Sequence, residues 1–525
     1  MVDVRSSITN EYHEFVPVLD AGHAICDTMM AALRNGSDAG RVVTVEPVPL
    51  EPAQQVNYNT AYVWMIASVA ALGGLLFGYD WVVIGGAKPF YEQYFQLTSA
   101  ELIGWANSCA LLGCLVGSVV CGALSDRFGR KKLLILSAFL FAISSIYTGW
   151  AQGFSTFVGW RIVGGVAIGI ASNVSPIYIA EISPAPWRGR LVALNQLTVV
   201  VGILAAQIVN WLIAEPVPDG ITALGLRQSW NGQTGWRWMF TAVAVPSIVF
   251  LLSALFIPES PRWLANRGNG ERARRILARI GGESYGARAL HEIQTALRAD
   301  LPSTGRSTGP WIHWRAPGVR RVLLIGVCLA VLQQWSGINV IFNYAEEIYR
   351  SAGYGVSGVL FNIVITGTIN LICTLVALGW VDRFGRRTLM LYGSAGIALS
   401  HATLGIVYAA GVKGLPVLVL TLCTIGCYAM SLAPVTWVLI SEIFPNRIRG
   451  LAVSVAVASL WTACFVLTFT FPMLQHWLGA AGTFWLYGVI CLAGFLFVLL
   501  RVPETKGKTL EEIEGEIMGA TAMSM

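Results

Sequence analysis

The chain has 525 residues, of which 55% are hydrophobic and 12% charged, with a mean hydropathy of +0.62. Soluble domains carry about 25% charged residues, so this composition excludes a string of water-soluble domains, and it excludes disorder over most of the chain as well. An integral membrane protein is left, and the net charge of +6 has to be explained by where the basic residues fall.

Residues 1–60 differ from the rest, with prolines at 17, 47, 49 and 52, eight acids, three arginines and no long apolar run. They read as a flexible cytoplasmic tail. A secretory signal needs a basic start followed by an apolar stretch of roughly 7–15 residues; the stretch from Met1 to Ser7, with Asp3, offers neither, and no signal peptide is expected. Apolar runs of about 20 residues, long enough to cross a bilayer, then recur near 62–84, 103–124, 133–151, 154–175, 191–213 and 238–257. A second set follows near 322–342, 359–380, 388–410, 416–440, 451–473 and 484–500. The expected fold is an all-α membrane bundle of twelve transmembrane helices. It divides into a first half over 61–257, a linker over 258–321, a second half over 322–502 and a cytoplasmic tail over 503–525.

The linker holds twelve arginines against five acids. Arg127, Arg130, Lys131 and Lys132 follow span 2, Arg188 and Arg190 span 4, Arg383, Arg386 and Arg387 span 8, and Arg447 and Arg449 span 10. All these loops fall on one side, and basic loops mark the cytoplasmic side. Both termini are therefore expected inside, and the positive charge reads as topology with no nucleic-acid partner. Ile276, Leu277 and Ile280, then Leu290, Ile293 and Leu297, recur at helical spacing among charged residues of the linker, which predicts short amphipathic helices over the inner mouth. Nine of the ten cysteines lie in apolar spans, where Cys acts as a small hydrophobe, so no disulfide framework is expected.

The halves repeat. Asp126-Arg127-Phe128-Gly129-Arg130-Lys131 returns as Asp382-Arg383-Phe384-Gly385-Arg386-Arg387, and Glu181-Ile182-Ser183-Pro184 with Arg188-Gly189 returns as Glu442-Ile443-Phe444-Pro445 with Arg449-Gly450. A duplicated six-helix unit is one of the known transporter designs, with its substrate between the halves near the midplane. The stretch from Gly122 to Lys132 resembles the loop signature of the major facilitator superfamily. Within that superfamily, Gly78-Tyr79-Asp80, Pro258-Glu259-Ser260-Pro261-Arg262-Trp263, Gln333-Gln334-Trp335-Ser336-Gly337-Ile338-Asn339 and Pro503-Glu504-Thr505-Lys506-Gly507 resemble the sugar porter family. The resemblance covers about 61–514 and extends to its bacterial proton-coupled monosaccharide symporters.

Asp80 is the only acid inside span 1, and a charge there costs about 2.5 kcal/mol or more on insertion scales unless it is paired or wet. Arg161, on span 4 at a similar depth, is its natural partner. The residues alone are equally compatible with a permanent ion pair; the resemblance implies that Asp80 and Arg161 couple transport to a proton, since passive facilitators carry Asn at the position of Asp80. A sugar needs neutral hydrogen-bonding groups and an aromatic face. Gln333, Gln334 and Asn339 supply amides in span 7, but Gln333 and Asn339 point about 120° apart on a straight helix and converge only if it unwinds near Ser336-Gly337. Gln196 and Gln207 share a face of span 5, and Pro434 should kink span 10 just before Trp437. The resemblance puts Gln196, Gln333, Gln334, Asn339, Asn370, Trp437 and Trp461 at monosaccharide-contacting positions. Asn343, Leu460 and Cys464 depart from the family's usual polar pattern, which leaves hexose, pentose and polyol open.

Asp126, Arg130, Glu181, Arg188, Asp382, Arg386, Glu442 and Arg449 sit at the cytoplasmic ends of helices. Exposed pairs of this kind contribute under about 1 kcal/mol; the resemblance implies a gate of ion pairs between the halves that closes the inner mouth. Gly74/Gly78, Gly113/Gly117 and Gly165/Gly169 have small-residue spacing for close helix packing. The six histidines are scattered without ligand spacing, so neither an enzyme nor a metal or other cofactor is expected. The expected function is import of a monosaccharide with a proton by alternating access, with a passive facilitator or a non-transporting sensor as alternatives. The expected partners are a monosaccharide, a proton and the lipid bilayer, for a monomer in the plasma membrane, such as a bacterial inner membrane.

Overall fold

In hydrocarbon a backbone has to satisfy its own hydrogen bonds, which leaves helices and closed barrels as the available spanning forms. The chain takes the first route. The structure is a computed structural model that describes residues 56–218, 220–299, 317–444 and 449–506; among these no strand occurs. Nearly all of the expected N-terminal tail, and most of the C-terminal one, lie outside the described residues.

The first half contains α1 (Thr60–Phe95), α2 (Ala100–Phe128), α3 (Arg130–Gly149), α4 (Phe154–Ile182), α5 (Arg188–Ile213) and α6 (Asn231–Phe256). The linker adds α7 (Pro261–Asn266) and α8 (Gly270–Ala299). The second half begins with a seventh span broken into α9 (Pro317–Trp335), α10 (Ile338–Asn343) and α11 (Ala345–Ser351). It continues with α12 (Val356–Phe384) and α13 (Arg386–Ala409), then a tenth span in two pieces, α14 (Leu415–Met430) and α15 (Leu432–Glu442). The last element, α16 (Arg449–Arg501), is two spans run together and bent at Gly479, whose φ is 68°. Two six-helix halves result.

Helices cross at backbone contact where glycines remove the side chain. A Cβ on Gly78 of α1 would lie 1.9 Å from the Val199 carbonyl oxygen of α5, and one on Gly165 of α4 would lie 1.9 Å from the Ala110 carbonyl oxygen of α2. The halves meet along α2 against α16 and α5 against α12. Outward positions carry large apolar side chains such as Leu212, Phe256 and Tyr392, a surface suited to hydrocarbon.

One element departs from expectation. The first span does not end near residue 84: α1 runs on to Phe95 through Pro89, because Lys88 and Glu92, which look like the polar end of a span, pair with each other one turn apart at 2.9 Å. Asp80 is therefore well inside α1 and not a few residues from its end. Among its described residues the linker forms α7 and then α8, which is two helices run together across the non-helical Gly281 and Gly282 (φ 89°), so the expected short helices are present. Leu277 and Ile280 are buried, while Ile276, Leu290, Ile293 and Leu297 are half-buried. The Asn59 amide donates to the Ile280 carbonyl at 2.8 Å, tying the start of α1 to the linker.

The duplicated loop motif has one local form in both halves. Gly129 (φ 91°) and Gly385 (φ 87°) begin α3 and α13 in the left-handed region, which favours glycine. Where a Cβ would stand, a carboxylate sits instead: Glu259 accepts from the Arg130 and Lys131 amides at 2.9 and 3.1 Å. Glu504 accepts from the Arg386 and Arg387 amides at 2.9 and 3.1 Å. Each carboxylate satisfies amides at a helix start that have no partner within the helix.

Candidate functional site

Asp80 of α1 and Arg161 of α4 are each 3% exposed, with Nη1 donating to Oδ1 at 3.0 Å. The guanidinium lies over the Phe240 ring, 5.5 Å from its centroid. The contact is single-pronged. Asp80 Oδ2 is buried and accepts no hydrogen bond among the described residues, so the carboxylate keeps one oxygen where a proton can attach without displacing Arg161.

One residue further along α1, Trp81 enters a cavity of about 110 Å³ between the halves. Gln196, Gln333, Gln334, Asn339, Asn370, Trp437 and Trp461 all line it, together with Phe77, Thr374, Tyr428 and Leu460. The seventh span supplies its amides because the helix breaks: Gly337 has a φ of 84°, and a Cβ there would crowd His401 Nε2 at 3.1 Å and the Tyr487 ring at 3.2 Å. His401 is fully buried, and its Nε2 faces the Ser336 carbonyl oxygen at 2.8 Å. A carbonyl only accepts, so Nε2 carries the proton and the carbonyl freed by the break is satisfied. Beyond the turn, Asn339 Nδ2 donates to Gln334 Oε1 and to Cys464 Sγ, the latter at 3.3 Å. Gln334 Nε2 donates to Gln333 Oε1 at 3.4 Å, and Gln333 Nε2 to the Leu432 and Ala433 carbonyls at 3.3 and 3.4 Å. Those carbonyls belong to α15, just after the irregular Ser431 (φ −135°, ψ −83°) that divides the tenth span. Pro434 clears the way for that division, since its ring excludes the helical position of the carbonyl four residues earlier.

Three rings close the apolar side. Phe77 and Trp81, four apart on α1, face Trp461 of α16 with centroids 5.9 and 6.1 Å away. Sequence reasoning passed over Phe77, Trp81, Thr374 and Tyr428, because aromatic and hydroxyl side chains in an apolar span usually pack. The one available signal was the spacing of Phe77 and Trp81 on either side of Asp80. Gln207 is fully buried but does not line the cavity. Its Oε1 stands where a Cβ on Gly367 of α12 would be, so it fills the seam between the halves.

On the face carrying the basic loops, Arg130 pairs with Glu181, Nη2 donating to Oε1 at 3.1 Å while Nε lies 3.1 Å from Oε2. Asp126 stands 3.6 Å from Arg130 and is largely exposed; Glu181 also takes the Ser260 hydroxyl. These contacts stay within the first half and its linker. Arg188 is exposed at the start of α5, and Arg386 meets Glu504 through its backbone amide. The side chains of Asp382, Glu442 and Arg449 lie outside the described residues.

The sequence matches the model of the family described as sugar (and other) transporter over residues 66–516. The chain belongs to this family. Among sugar transporters it is 38% identical over 489 residues to the D-xylose-proton symporter of Escherichia coli, covering 87% of this chain and 96% of that one. It is 40% identical over 478 residues to a glucose transport protein of Synechocystis, covering 89% and 100%. The solved inward open conformation of the xylose transporter XylE from E. coli superposes with a TM-score of 0.75 at 37% identity, covering 86% of this chain and 99% of that one. Membership makes the chain a multi-pass membrane transporter of the major facilitator fold, outside the enzyme classes.

Proposed function

We propose that this sugar transporter carries a monosaccharide, hexose or pentose, inward across a bacterial inner membrane together with a proton, as a monomer with both termini cytoplasmic. The basic face is then the cytoplasmic one. The observation that carries the reading is the adjacency of Asp80, buried with one unoccupied carboxylate oxygen, to Trp81 in the wall of a cavity lined by amides and rings from both halves. A proton taken from outside onto Asp80 Oδ2 neutralises the carboxylate, and Arg161 loses the charge that holds it. The amides of Gln196, Gln333, Gln334, Asn339 and Asn370 meet sugar hydroxyls while Phe77, Trp81, Trp437 and Trp461 cover its C–H faces. The halves rock about the loaded cavity, the proton leaves to the cytoplasm, and the ion pair reforms. The E. coli relative is named a D-xylose-proton symporter and the Synechocystis relative a glucose transport protein, and both names support this reading of substrate and coupling. On this reading Asp126, Arg130, Glu181, Arg188, Asp382, Arg386, Glu442 and Arg449 make the cytoplasmic gate.

The test is uptake of labelled xylose, arabinose, glucose and polyols into proteoliposomes, with and without an imposed inward proton gradient. Accumulation of a monosaccharide only under the gradient is expected. Equilibration that ignores the gradient would make the protein a facilitator and the Asp80–Arg161 contact a packing ion pair.

A further inference from the structure

Two turns beyond Asp80, α1 carries Lys88, which is 1% exposed. Its Nζ lies 2.9 Å from Glu92 of its own helix and 3.4 Å from Glu346 of α11, and it also contacts Glu347 of α11. Tyr344 presents its ring face 5.5 Å away, and Arg350, largely exposed, holds the other oxygen of Glu346 at 3.2 Å. This cluster bridges the two halves, with α1 from one and α11 from the other. Just below it the backbones touch, since a Cβ on Gly85 would lie 2.5 Å from the Phe342 carbonyl oxygen. On one side lies the sugar cavity, which Phe342 helps to line; on the other an opening of about 390 Å³ bordered by Gln93 and Gln475 faces away from the basic loops.

We propose that Lys88 is the latch of the outer route, joining α1 to α11 while the cavity is shut from outside and releasing them when it opens there. The inference rests on alternating access but not on which sugar moves or whether a proton moves with it. A buried ammonium is tolerated only when paired and hydrogen-bonded, and the α11 carboxylates are within reach only while the halves are together at this end. Once they part, water hydrates each group. Without the ammonium, Glu92 faces Glu346 and Glu347 across the seam, and like charges in a low-dielectric site repel. Lys88 thus decides whether the same cluster closes the route or forces it apart.

Paired spin labels at Gln93 and Gln475, one on each half at the rim of the outer opening, report the separation in the full chain in lipid nanodiscs by pulsed electron resonance. Lys88→Gln is expected to shift the distance distribution to longer values. Glu346→Gln with Glu347→Gln, which leaves the Lys88–Glu92 pair within α1, should give a shift in the same direction. Unchanged or shorter distances in both variants overturn the latch. Sugar uptake by the unsubstituted protein reconstituted into proteoliposomes separates the two ideas: unchanged distances in the variants beside normal uptake sink the latch and leave the transporter, whereas lengthened distances beside absent uptake keep the latch and count against the transport reading.

Discussion

Asp80 offers one oxygen to Arg161 and keeps the other free of hydrogen bonds, which is the arrangement a reversible proton carrier needs. Asp80→Asn keeps the shape and a hydrogen-bonding oxygen but loses the titratable group. Uphill accumulation should fall to the level of equilibration while counterflow exchange of labelled for unlabelled sugar continues; loss of both would show that Asp80 serves something other than coupling. The sequence made this pair legible because a lone acid in an apolar span demands a partner. The family resemblance nominated seven monosaccharide-contacting positions, and the structure gathers their side chains around one cavity. Phe77, Trp81, Thr374, Tyr428 and His401 were not legible, since buried rings and hydroxyls look alike in sequence whether they face a helix or a cavity. His401 is the clearest case: an isolated histidine in the ninth span gives no hint that it satisfies a carbonyl of the seventh.

Among the elements, the broken seventh span does most to build the cavity. The amide spacing made the break legible, since Gln333 and Asn339 share a site only if the helix turns at Gly337. Gly337→Ala forces a Cβ into the left-handed region, at a cost of roughly 1–2 kcal/mol, and pushes it toward His401 and Tyr487. Lower thermal stability together with weaker sugar binding is expected, read by a melting curve and by titration on the same sample. A loss of stability with binding intact would mean that the break does not position the amides. The length of α1 was not legible, because Lys88, Pro89 and Glu92 read as a span's end until their partners on another helix are known.

At the scale of the whole molecule, duplication is visible in both the motifs and the fold, and the paired glycine–carboxylate starts of α3 and α13 are its sharpest expression. Pro258-Glu259 and Pro503-Glu504 were recognisable as strings, but their role depends on helices more than 100 positions away in the chain. Removing either carboxylate as Glu259→Ala or Glu504→Ala should cost about 1 kcal/mol, as for a lost helix cap. Because the sites lie in different halves, the losses should add within about 0.5 kcal/mol in the double variant. Melting curves of the two single variants and the double would check this, and a double variant no worse than either single one would show that the two halves do not unfold as one cooperative body.

Helix α1 carries Phe77 and Trp81 of the cavity, Asp80 of the buried ion pair and the Lys88 cluster within about 17 Å at a rise of 1.5 Å per residue. Three demands are written on three turns of one rod, and few substitutions there alter only one of them. The second half spreads its cavity contacts more widely: Gln334, Asn370 and Tyr428 face the cavity from three separate helices. A lineage adapting to a new carbohydrate diet would therefore change its menu through the second half, with the first helix acting as its slow-evolving hinge of inheritance.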